Sequence, residues 1–99
     1  MENVVNKLSY DESALLNEGF DGDAERLETA WAEFEQLCSE RGVNVPNRDP
    51  GAVWVSSSPR AFEELRGLFE EATSERPDDD LDLLLAYLAG AQAQVVHES

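Results

Sequence analysis

At 99 residues the chain has length for one compact domain and none for a second, so multi-domain enzyme architectures are excluded at the outset. With 41% hydrophobic and 29% charged residues it can bury a small core. Twenty-two Asp and Glu against seven Lys and Arg give a net charge of −15, from which no basic patch for phosphates can be assembled: direct binding to nucleic acid or to an anionic membrane surface is excluded.

Cys38 is the single cysteine, so no intrachain disulfide forms and a reducing, cytoplasmic location is expected. The N-terminus lacks a basic region followed by an apolar one. The longest apolar run, Leu83 to Ala89, is far below the roughly 18 to 20 residues of a membrane span.

Helix periodicity and capping signals organise residues 1–99 as one acidic all-α domain, a small bundle of three to four helices with one loop containing a short extended stretch; residues 1–10 and 94–99 are expected to fray. The first helix runs from about Asp11 to Glu18 and stops at Gly19. Val4, Val5 and Leu8 before it fit either a strand or the start of that helix. The second, from about Asp21 to Arg41, places Leu27, Trp31, Phe34 and Cys38 on one stripe, with glutamates on the flanks and back.

Residues 42–58 break the pattern with prolines, glycines and asparagines, and hold the β-like run Ala52-Val53-Trp54-Val55, in which Trp54 either covers the core or stands exposed. Ser58 and Pro59 then open a third helix to about Glu75, with Phe62, Leu65 and Phe69 inward. The last helix starts within Asp78-Asp79-Asp80 and continues through the Ala-Gln repeat. Leu81, Leu84, Leu85 and Leu88 make its core stripe. Leu83, Tyr87 and Gly90 form a second stripe on the far side, so the helix is either central in the bundle or shared with a partner copy in a homodimer.

No residue set points to catalysis, a metal or a cofactor. Cys38 sits on an apolar stripe, where a thiol behaves as a small hydrophobe, and His97 is two residues from the end. The serines at 56–58 are placed to cap helix three. Asp78, Asp80 and Asp82 have the opening spacing of a calcium loop, but Leu83 stands where glycine is required and Ala89 where glutamate is. The chain is therefore expected to be non-enzymatic.

The charge pattern is more informative. Glu63-Glu64 and Glu70-Glu71 are doublets seven residues apart, stacked on one outer helix face about 10.5 Å along the axis, and Glu28 with Glu35 repeats the spacing. These ladders lack the i+4 lysines of salt-bridged faces and repel themselves. In size and charge the chain resembles the small acidic inhibitors of phages and mobile elements, DNA mimics and anti-CRISPR proteins among them; the likeness is one of composition.

The expected function is an acidic inhibitor that docks on a basic, nucleic-acid-binding protein through Glu63, Glu64, Glu70, Glu71, Glu28 and Glu35. An immunity protein or antitoxin against a basic toxin uses the same electrostatics. A salt-adapted structural or assembly subunit is the reading in another class. Trp54 is the competing anchor, ranked behind the ladders because a tryptophan in so small a domain is more often needed for its core.

Overall fold

The computed structural model describes residues 3–75 and 77–96 and shows a layer of helices on one face of a four-stranded antiparallel sheet. Strand β1 (Val4–Ser9) leads into a short helix α1 (Glu12–Ala14), which continues as a π-helical turn over Leu15–Gly19. Helix α2 (Ala24–Glu40) follows, then strands β2 (Asn44–Asp49) and β3 (Ala52–Ser57), helices α3 (Pro59–Ser74) and α4 (Asp80–Ala89), and strand β4 (Gln92–Val96). The sheet order is β2-β3-β1-β4. Each helical crossover thus leaves room for one strand between the two it joins, the doubled split β-α-β arrangement of ferredoxin-like folds.

The expected all-α helical bundle is therefore corrected to a mixed α/β fold. Residues 4–9, expected to fray, form a central strand, in register with β3 from Val4 opposite Ser57 to Ser9 opposite Ala52 and with β4 from Val5 opposite Val96. The expected loop at 42–58 is a hairpin. Its turn carries Pro50 and then Gly51 with φ +88°, the Pro-Gly order and positive dihedral of a type II turn. Pro46 and the register shift between Asn44 and Asn47 are tolerated because β2 is an edge strand. Helix α4 stops at Ala89, and residues 92–96 turn back as β4 where a helix through Gln94 and frayed residues from 94 onward were expected. His97, also expected to fray, lies outside the described residues.

Helix boundaries otherwise follow local chemistry. The Asp23 carboxylate accepts from the Glu25 and Arg26 amides, the Ser58 hydroxyl from Ala61, and the Asp79 carboxylate from Asp82. Gly42, with φ +75°, follows the end of α2.

Alternation along the paired strands splits the sheet into two faces. Leu8, Val53 and Val55 point into one continuous core with Leu15, Phe20, Leu27, Trp31, Phe34, Cys38, Val43, Phe62, Leu65, Phe69, Leu84, Leu85 and Leu88. Of the core expected from helix stripes, only Leu81 is half-buried, and it packs on the same cluster. The aromatic rings run as a chain, Tyr10 to Trp31 at 5.6 Å, Trp31 edge-on to Phe34 at 5.5 Å, and Phe34 against Phe69 at 6.3 Å. Helix α4 packs on both α2 and α3, which accounts for its apolar character on two sides.

Candidate protein-docking surface

Helix α3 is positioned by Phe62, Leu65 and Phe69, whose burial turns the opposite side of the helix to solvent. That side carries Glu63, Glu64, Glu70 and Glu71, all exposed. The structure thus brings the two doublets together on one face. Among the described residues, Glu70 has a cationic neighbour in Arg66, at 3.8 Å and with both side chains largely exposed, a contact worth little in water.

Helix α2 presents a second acidic surface, but its pair is unequal. Glu28 receives the Arg48 guanidinium at 3.4 Å, and Arg48 also lies 4.7 Å from the Trp31 ring, so this carboxylate is partly engaged in tying β2 to α2. Glu35 is exposed, and its negative charge adds to the effect of burial on the Cys38 thiol one turn away, pushing it up to about 12. A thiol in that state is inert, and Cys38 is fully buried.

Arg26 is drawn away from this surface to Asp80, donating from Nε at 3.3 Å and from a terminal nitrogen at 2.5 Å, which joins the starts of α2 and α4. The hydrogen bonds from Arg26 hold the Asp80 carboxyl below its ordinary range. Of the calcium-like spacing Asp78, Asp80 and Asp82, the middle carboxylate is committed to Arg26, while the intervening Asp79 caps α4. No group of three or more metal-ligating side chains occurs among the described residues. Ser57 donates to the Ser58 carbonyl and Ser58 caps α3.

The second stripe of α4 is divided. Leu83 and Tyr87 pack partly against the core, and the Tyr87 ring edge lies where a Cβ on Gly19 would stand, 2.7 Å from Cε2. Gly90 is exposed at the helix end. Tyr87 is thus engaged within the chain by the π-helical turn.

Trp54 takes neither of its expected roles in full. It is half-buried but outside the core cluster, on the sheet face away from the helices, opposite Lys7 in the β1–β3 register. The Lys7 ammonium lies 5.5 Å from the centre of its ring. Helix-stripe reasoning missed this pair because it did not fold Val4–Ser9 against Ala52–Ser57. The signal was there in the alternation of Asn6, Leu8, Val53 and Val55 with Lys7 and Trp54.

No helix among the described residues is long and apolar enough to cross a membrane. No family model, no curated protein and no solved structure matches the chain.

Proposed function

We propose that this chain is a non-enzymatic binding protein whose acidic helix faces dock on a basic, nucleic-acid-binding protein and block it. The observation that carries this reading is the outer face of α3, where Glu63, Glu64, Glu70 and Glu71 stand exposed with one weak ion pair to them among the described residues. Such an array attracts a groove lined by Arg and Lys at long range and competes with phosphates for it. Glu35 adds a separate exposed carboxylate on α2, while Glu28 contributes less because Arg48 already neutralises part of its charge.

The experiment is affinity capture from host lysate, followed by association kinetics of the captured partner across a salt series. Substituting Glu63, Glu64, Glu70 and Glu71 together with Gln slows association and flattens the salt dependence, because attraction across exposed rims is screened over about 10 Å at 0.1 M. The fold is unharmed, since none of the four side chains is buried. Unchanged association with the fourfold variant refutes the reading.

A further inference from the structure

The sheet face away from the helices is unlike the rest of the molecule. Over β1, β2 and β3 the register places Lys7, Ser9, Asn47, Asp49, Trp54 and Ser56 on this side, half-buried or exposed, together with Val5 and Ala52, which are buried. Over these three strands its charges are one cation and one anion, on a chain whose net charge is −15. Two copies approaching through their helices meet carboxylate against carboxylate. Two copies approaching through this face meet a neutral, self-complementary surface with an aromatic ring at its middle. The geometry points to this sheet face as a self-association surface on which a second copy of the chain stacks, Trp54 near the axis and Lys7 of each copy over Asp49 of the other.

The placement of the two charges supports a two-fold contact. Lys7 is level with Trp54 and Asn47, and Asp49 is two residues further along β2. They are separated by two strand spacings and one residue pair, roughly 12 Å corner to corner across β3. A two-fold axis lying between the sheets and bisecting that diagonal exchanges the two positions. It sets the strands of the copies at roughly 70° to each other, close to the orthogonal class of sheet packing. Lys7 is already held over the Trp54 ring, so one partner of the new ion pair is oriented before contact.

This surface does not rest on the acidic-face reading, and its salt law is opposite. Raising salt screens the long-range repulsion between two strongly negative bodies more than the two short Lys7–Asp49 pairs and leaves the aromatic contact intact, so the dimer strengthens where binding to a basic partner weakens. The test is sedimentation equilibrium of the full chain at about 0.1 M and about 1 M NaCl, where the screening length falls from about 10 Å to about 3 Å. Mass moves from monomer toward dimer as salt rises.

Lys7→Glu and Asp49→Lys each weaken the dimer by about tenfold or more, and the combined variant, whose net charge equals that of the parent, recovers it. Trp54→Ala abolishes the dimer and retains the parent circular dichroism, because Trp54 is not in the core. A monomer at both salts, a dimer indifferent to Trp54→Ala, or single charge variants that the double swap fails to rescue overturns the proposal. A dimer lost in Tyr87→Ala but kept in Trp54→Ala overturns it in favour of helix α4.

Discussion

Two glycines in helical segments should respond oppositely to the same substitution. Gly67 lies within α3, and a Cβ built on it meets nothing within 4 Å. Ala there gains helix propensity and restricts the unfolded chain, which stabilises by about 0.5 to 1 kcal/mol. Gly19 ends the π-helical turn without a positive φ, so Ala carries no backbone strain there either. Its Cβ, however, would lie 2.7 Å from Tyr87 Cε2 and 3.1 Å from Cδ2.

Two carbons need about 3.5 to 4.0 Å, so the ring must retreat by roughly 1 Å from a helix that packs on α2 and α3. Overpacking of this kind costs about 1 to 3 kcal/mol, more than the propensity gain of about 1 kcal/mol. Gly19→Ala is therefore destabilising by up to about 2 kcal/mol. In a domain of this size each kcal/mol moves the midpoint by about 4 to 8 °C, so thermal unfolding at fixed salt separates the pair easily. If Gly19→Ala raises the midpoint as Gly67→Ala does, the close packing of Tyr87 on the turn is refuted.

Two other changes test the core and the helix junction. Leu84→Ala removes a fully buried side chain and costs about 2 to 5 kcal/mol in urea unfolding; a loss under about 0.5 kcal/mol would mean that this stripe is not the core face. Asp80 is held below its unfolded pKa by Arg26, so its stabilising effect is complete above the unfolded value and disappears as pH falls through the folded one. The stability gap between the parent and Asp80→Asn is accordingly widest above about pH 4 and closes in stronger acid, measured by urea midpoints across pH.

The helices were legible because their signals are local. Asp23, Ser58 and Asp79 occupy cap positions, and the stripes of α2, α3 and α4 repeat within one helical turn. The sheet was not, because its evidence is spread along the chain. Strand β1 has six residues and joins β3, more than forty positions later, and β4, still further on. Strand β2 reads Asn-Val-Pro-Asn-Arg-Asp, a composition that signals a turn anywhere but at an edge.

The run Ala-Gln-Ala-Gln has helical propensity, yet α4 closes at Gly90 and the following residues pair with the exposed edge of β1. The candidate surface divided along the same line. The α3 glutamates needed only helical spacing to be placed on one face. Trp54 and Lys7 needed the strand pairing, and the reason for ranking Trp54 behind the ladders, that the core requires it, does not hold in the fold.

The remaining question raised by the acids is whether they serve binding or survival in brine, and the magnitudes favour a fold that stands without salt. Two unit charges about 10 Å apart in water repel by about 0.4 kcal/mol, and at 0.1 M screening leaves well under half of that. The exposed ladders on α2 and α3 supply a handful of such pairs, so their self-repulsion totals on the order of 1 to 2 kcal/mol at low salt. A domain with one continuous apolar core has a net stability of about 5 to 15 kcal/mol, which that repulsion lowers but does not cancel. Urea unfolding between about 0.01 M and about 1 M NaCl should accordingly show a folded chain throughout, with stability rising by about 1 to 2 kcal/mol as the repulsion is screened. A chain unfolded at low salt and folded only near molar salt would mean that the acids answer to the solvent, and the docking role of Glu63, Glu64, Glu70 and Glu71 would lose its physical basis.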